Sequence, residues 1–312
     1  VRVILTVTLN TALDLTYAVP ALVPHTSHRV GEVTERPGGK GINVARVLAA
    51  LGHGTVVTGF AGGATGAVLR DLLGALPHGP ADALVTVAGN TRRTVAVVDR
   101  ATGDTTQLNE PGPHIGAGEW TAFLRTYGEL LPEAEAVALC GSLPPGIHVG
   151  AYAVLVRLAR SAGVPVLLDT AGEPLRRGIA ARPDLVKPNA DELAQLTGAR
   201  EPLRATRDAR RRGAHSVVAS LGADGLLAVT PDGIWRAAPP DPVRGNPTGA
   251  GDSAVAGLLS ALAEGLGWRD RLVRAVALST ATVLAPTAGE FDRTAYEDLL
   301  ARVTVAQQAP AA

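Results

Sequence analysis

A glycine-rich loop running into an apolar helix carries the first chemistry that can be read from this chain. Gly245-Asn246-Pro247-Thr248-Gly249-Ala250-Gly251-Asp252-Ser253 leads into Ala254–Ala263, whose small and apolar residues predict a buried helix starting near Ala250. The first N–H groups of such a helix have no intrahelical partner, and together with the positive end of the dipole they suit a phosphate. Asp252 falls in the first turn. A carboxylate repels the anion that such a nest attracts, so its presence makes sense where it accepts a proton from a hydroxyl attacking phosphorus. The same residues also serve a capped helix whose glycines allow close packing, and the loop alone does not separate the two readings.

Other stretches offer partners. Pro37-Gly38-Gly39-Lys40-Gly41 opens a second helical run, Ile42 to Leu51, closed by Gly52; Lys40 and Asn43 would present donors from one turn, although a tight structural turn has the same sequence. Of the 29 Lys and Arg residues, Lys40 and Lys187 are the only lysines. In so Arg-biased a chain, a lysine suggests a place that needs a compact ammonium rather than a planar fork. Lys187 precedes Pro188-Asn189, where a helix should start, and Asn189 and Glu192 share a face at three-residue spacing. Both can hold water around a magnesium ion, or simply cap the helix. Asp14 follows the first strand at its carboxyl end, where α/β folds place ligand-facing residues; a turn-forming aspartate would also fit there. Ser220-Leu221-Gly222-Ala223-Asp224-Gly225 is a tight turn able to admit a nucleotide, or an ordinary hairpin.

These groups need a scaffold, and the hydrophobic period describes one. Residues 1 to 10, 55 to 60, 136 to 140 and 164 to 169 read as strands, with helices over 120–131 and 148–162. The alternation argues a parallel sheet covered by helices on both faces. Strands at 216–219, 225–229 and 234–237 follow, then helices at about 269–284 and 293–303 and a frayed tail over 307–312. Residues 15 to 36 and about 83 to 113, including paired strands at 83–87 and 91–98, are expected to form a small β lid from which Arg92 reaches an anionic group.

Composition narrows the class. Apolar content of 46% against 19% charge describes a globular chain, and a formal charge of +0 does not favour nucleic acid or an anionic membrane. The charge-free run 136–156 is broken by Pro144-Pro145-Gly146, so no membrane helix is expected. One cysteine, Cys140, reads as a small core residue and suits a cytoplasmic setting. The seven histidines lack zinc-ligand spacing.

Four motifs in order, Gly38-Gly39-Lys40-Gly41-Ile42-Asn43-Val44-Ala45, Gly141-Ser142-Leu143-Pro144-Pro145-Gly146, Lys187-Pro188-Asn189 with Glu192, and Gly249-Ala250-Gly251-Asp252-Ser253, resemble the ribokinase/phosphofructokinase-B carbohydrate kinases. Leu9-Asn10, Ala12-Leu13-Asp14 and Leu108-Asn109-Glu110-Pro111-Gly112-Pro113 are similar to the branch containing 1-phosphofructokinase and tagatose-6-phosphate kinase. Thr11 stands where that branch usually has proline, which should loosen the loop, and Thr248 where it often has valine. The resemblance implies a single domain over 1–312, a three-layer α/β/α body with a mainly parallel sheet, and a small β lid through which a homodimer forms. It implies ATP and Mg2+, with a ketohexose phosphate (fructose 1-phosphate, fructose 6-phosphate or tagatose 6-phosphate) as acceptor; the alternatives are an unphosphorylated sugar or nucleoside as acceptor, and a sugar-binding protein without catalysis. By motif position, Asp252 would be the base and Gly249, Ala250 and Gly251 the anion hole. Asp14, Gly39, Asn43 and Ser142 would meet the sugar, and Lys40 and Arg92 its phosphate. Lys187, Ser220, Gly222 and Gly225 would lie along the nucleotide, and Asn189 and Glu192 would organise magnesium, through water.

Overall fold

The computed structural model describes residues 2–285 and 287–308. Its spine is a ten-stranded sheet whose centre is the most apolar part of the chain. Strand β1 (Val3–Thr8) lies between β4 (Thr55–Gly62) and β8 (Ala134–Cys140), parallel to both. Outward from β8 come β9 (Val166–Asp169), the two-residue β10 (Leu185–Val186) and β11 (Ser216–Ser220), again parallel. The direction then reverses through β12 (Leu226–Thr230), β13 (Gly233–Ala238) and β14 (Thr304–Gln308), each antiparallel to its neighbour.

Side-chain alternation along these strands feeds two cores. Leu5, Val7, Val137, Leu139 and Leu168 point to one face, where they pack with α3 (Ala117–Leu130), α4 (Ala151–Ser161), α5 (Gly172–Ala180), α6 (Ala190–Thr197) and α7 (Pro202–Arg211). Ile4, Ala136, Ala138 and Cys140 point to the other, against α1 (Lys40–Ala50), α8 (Ala250–Ala263), α9 (Trp268–Val283) and α10 (Arg293–Arg302). The small residues of β8 match the alanine- and glycine-rich α8, which is buried from Asp252 to Ala261. Cys140 is thus a filler between layers. No described helix is long and apolar enough to cross a membrane.

A second sheet of four strands, β3 (Glu32–Gly38), β2 (Ala12–Val19), β6 (Arg92–Asp99) and β7 (Thr105–Asn109), is built from the segments expected to form a lid and takes that name below. Its central pair, β2 and β6, is parallel. One boundary differs from the sequence expectation. Residues 81–87 are not lid but β5 (Ala81–Val87), the parallel edge strand beside β4. Leu84 packs with α1 and with α2 (Gly63–Gly74), and the Gly89-Asn90 segment is no hairpin turn. The Asn90 side chain accepts the N–H of Ala64, and Thr91 donates its N–H to Gly62, so the segment is tied to the start of α2. Gln307 and Gln308 are likewise paired in β14 rather than frayed, while 309–312 of that tail lie outside the described residues.

Candidate active site

Parallel strands leave their carboxyl ends on one side of the sheet, and the side chains singled out above collect there. Gly249 is left-handed (φ 85°) and is the N-cap of α8; a Cβ on it would come 2.8 Å from Ala288 Cα, so only glycine fits. The first i to i−4 bond of the helix runs from Ser253 N–H to Gly249 C=O, which leaves the Gly251 and Asp252 amides ahead of the ladder. Asn246 shapes the approach by accepting the Thr248 N–H at 3.0 Å.

Asp252 is buried, and Asn43 Nδ2 of α1 donates to its Oδ2 at 2.9 Å. Burial pushes the Asp252 carboxyl up to about 6; Asp169 adds to the rise, while Lys40, the Asn43 hydrogen bond and Lys187 oppose it. A group poised there is ionised at neutral pH yet basic enough to take a proton. Asn43 reaches Asp252 because Gly39 (φ 110°) turns the chain sharply from β3 into α1.

Lys40, Arg92, Ser142, Glu192, Asn189, Ser220, Gly222, Gly225, Ala250 and Gly251 divide between two large hollows, whereas Gly39, Asn43, Gly249 and Asp252 line neither. One, of about 700 Å³, is lined by Asn10, Lys40, Arg92, Ser142 and Glu192 among others. The other, of about 740 Å³, is lined by Asn189, Ser220, Gly222, Gly225, Ala250 and Gly251 among others. They adjoin at the start of α6, where Asn189 Oδ1 accepts the Glu192 N–H and Glu192 Oε2 accepts the Asn189 N–H, both at 2.8 Å. That reciprocal cap is the helix-stabilising reading of the pair, realised.

Asp14 lies apart, in a small hollow beneath the lid with Arg36, Arg46 and Thr94. Burial pushes its carboxyl up to about 6, against the pull of Arg92, Thr94 and Arg46. Arg92 bridges the two regions, donating to the carbonyls of Asn10 and Glu110 and to Thr94. Lys187 does not extend along the nucleotide-sized hollow. It is buried, with Nζ 3.5 Å from Asp169 Oδ1 and beside Gly251. Lys40 Nζ sits 3.4 Å from Asp169 Oδ2. Thr11 does not loosen its loop, because its buried hydroxyl donates to the Phe60 carbonyl.

Sequence reasoning missed Asp169, which ends β9 as Asn10 follows β1; that shared position was the available signal. It also missed Arg46, one turn beyond Asn43, whose guanidinium holds the Ala288 carbonyl and the Glu290 carboxylate.

A helix start with unengaged amides, a buried carboxylate beside it and two adjoining hollows define a phosphotransferase that acts on a small acceptor. The model of the pfkB family of carbohydrate kinases matches residues 6–295, and the chain belongs to that family. It is 40% identical over 291 residues to the 1-phosphofructokinase of Rhodobacter capsulatus, covering 91% of this chain and 92% of the relative. Among solved structures it is similar to a possible 1-phosphofructokinase from Thermotoga maritima (TM-score 0.90, 28% identity, 98% and 100% of the two chains). It is also similar to phosphofructokinase-2 from Escherichia coli in complex with fructose-6-phosphate (TM-score 0.87, 30% identity, 96% and 99%).

Proposed function

We propose that this chain transfers the γ-phosphoryl group of ATP to a hydroxyl of a ketohexose phosphate, with fructose 1-phosphate the first acceptor to test. The observation that carries the reading is the placement of Asp252: buried, oriented by Asn43, and in the first turn of a helix whose amides are open to a phosphate. Asp252 would remove the acceptor's proton as the oxygen attacks, and the Gly249 and Gly251 amides would stabilise charge on the phosphoryl oxygens, the Ala250 N–H being already donated to the Pro247 carbonyl. The hollow holding Lys40, Arg92 and Ser142 suits an acceptor that already bears a phosphate, because a dianion there meets two cations. The hollow of Ser220, Gly222 and Gly225 suits the nucleotide. Asp14 would hold sugar hydroxyls from under the lid, with Gly39 allowing close approach. The 1-phosphofructokinase name of the Rhodobacter relative supports the choice of acceptor.

Magnesium fits the residues present. Among the described residues no group of three or more His, Cys, Asp or Glu forms a cage, so an ion would depend on water and substrate phosphates. Asn189 borders the hollow of Ser220 and Gly222, Glu192 borders the hollow of Lys40 and Ser142, and Glu192 keeps one carboxylate oxygen outside its cap for the ion's waters. When bound, magnesium would supply positive charge to the β and γ phosphate oxygens. One face of the lid carries Tyr17, Val33, Val95 and Leu108, with Val33 and Leu108 exposed, and suits a second copy in a homodimer of a cytoplasmic enzyme.

The test is a coupled ADP-release assay comparing fructose 1-phosphate, fructose 6-phosphate, tagatose 6-phosphate, fructose, ribose and adenosine. Turnover should favour a ketohexose phosphate. A preference for free fructose, ribose or adenosine would defeat the assignment of the acceptor.

A further inference from the structure

Asp169 is 1% exposed at the end of β9, and the only two lysines of the chain converge on it. Each takes its own oxygen: Lys40 Nζ approaches Oδ2 at 3.4 Å, and Lys187 Nζ approaches Oδ1 at 3.5 Å. The two ammonium groups serve different neighbourhoods. Lys40 lines the hollow with Arg92 and Ser142, while Lys187 lies beside Gly251, at the open start of α8.

Folding alone does not account for this arrangement. Lys187 is 4% exposed and needs a counter-ion wherever it is buried. Lys40, however, keeps 42% of its side chain exposed, so burial does not oblige it to pair, yet it is drawn to the same carboxylate. A shared carboxylate is also a reason for lysine in an arginine-rich chain. Two compact ammoniums fit one acceptor, whereas a guanidinium fork tends to engage both oxygens by itself.

The backbone that carries the carboxylate is firmly mounted, while Asp169 Oδ1 itself has no hydrogen-bond partner among the described residues and meets only the Lys187 ammonium. Gly141 donates its N–H to the Asp169 carbonyl at 2.9 Å, and the Gly141 carbonyl accepts the hydroxyls of Thr170 and Tyr152 at 2.7 and 3.0 Å. Burial alone would raise the Asp169 pKa, but Lys187 and Lys40 hold it below the ordinary carboxylate range, so it stays an anion. Asp169 in turn raises the pKa of Lys40, which stays a cation.

We propose that Asp169 is a positioning residue for phosphoryl transfer, its two oxygens holding Lys40 and Lys187 at a fixed separation, one on the acceptor side and one on the nucleotide side. This rests on the kinase reading above. The carboxylate touches neither substrate and acts through the two lysines. Among the described residues it is the one carboxylate paired with both lysines, so its loss should weaken two substrates that do not share a pocket.

The test is Asp169→Asn with separate Michaelis constants for acceptor and ATP. Both should rise, each by about tenfold or more, as expected when a positioning contact is lost. Lys40→Ala should raise the acceptor constant alone, and adding Asp169→Asn to Lys40→Ala should change that constant by less than about twofold. The acid limb of the rate profile should also move to lower pH, since Asp252 loses the like charge of Asp169 while its hydrogen bond from Asn43 remains. A variant with both constants unchanged and only kcat reduced, or with fully additive effects, overturns the proposal. Should Asp169→Asn fail to fold, the unaltered protein still decides. With lysine 15N-labelled at Nζ only two ammonium signals exist, and both should be motionally restrained. A Lys40 signal with the mobility of a solvated lysine overturns it. The spectra read the geometry whether or not phosphate is transferred, so failure of the kinase reading and failure of this one are told apart.

Discussion

Replacing Asn43 by alanine removes the 2.9 Å hydrogen bond to Asp252 Oδ2 and leaves the backbone of α1 intact. The bond stabilises the ionised carboxylate, so its loss makes Asp252 harder to ionise. Both groups are buried, and the contribution is not diluted by solvent. A hydrogen bond to a charged group contributes about 1.5–3 kcal/mol, and at roughly 1.4 kcal/mol per pKa unit the carboxyl should climb by about one to two units. Starting from about 6, Asp252 would then titrate at about 7–8. At pH 7 the ionised fraction falls from about nine-tenths to half or less. The assay is kcat/KM for the acceptor across pH 5 to 9, with ATP saturating. The acid limb should shift upward, and the loss should be largest below pH 7 and shrink toward pH 9. Should the limb stay at the wild-type position while activity drops evenly at every pH, Asn43 does not act through Asp252 ionisation, and the reasoning fails.

Asp252→Asn should abolish most turnover and stabilise the fold at neutral pH. The folded pKa of about 6 lies above the ordinary 3.8, so Asp252 contributes stability below pH 3.8 that is lost as pH rises through 6. The gain, about 3 kcal/mol at most, should appear in Tm at pH 7 and vanish at pH 4. Gly249→Ala puts a side chain at a left-handed φ and against Ala288, which should lower kcat by about a hundredfold with little change in acceptor KM, measured at saturating ATP. Arg92→Ala should raise KM for a ketohexose phosphate at least tenfold, about 1.4 kcal/mol, and leave KM for free fructose unchanged; equal effects on the two would remove Arg92 from phosphate binding. Glu192→Gln should raise the magnesium concentration needed for half-maximal rate several-fold, read by titrating the metal at fixed ATP.

Much of this was legible in the chain because the signals are local. The run from Gly249 through Ala263 spells a helix start and a buried helix in consecutive residues, and α8 begins where those residues place it. The reciprocal cap of Asn189 and Glu192 is also a three-residue pattern. What escaped is non-local. Whether 81–87 joins the lid or the body depends on Leu84 finding α1 and α2, and on Asn90 finding Ala64, neither of which is near in sequence. Asp169 and Lys187 are brought together by the neighbouring register of β9 and β10, Lys40 joins them from the start of α1, and each residue alone resembles any other polar side chain at a strand or helix end.

The parallel pairing of β2 with β6 has a consequence for how the molecule comes to be folded. Parallel neighbours cannot be closed by a short turn, and here the chain between them departs to build α1, β4, α2 and β5 before it returns. The lid is therefore a product of the body, assembled only once the connecting layers have brought its two halves together, and such distant pairing is slow to form. Its outer strands, β3 and β7, should be last to gain amide protection during refolding and first to lose it under mild denaturant. The segment cannot be excised or transplanted as a module, and a lineage reshaping its acceptor preference through the lid must do so by substitution within a strand rather than by exchange of the whole.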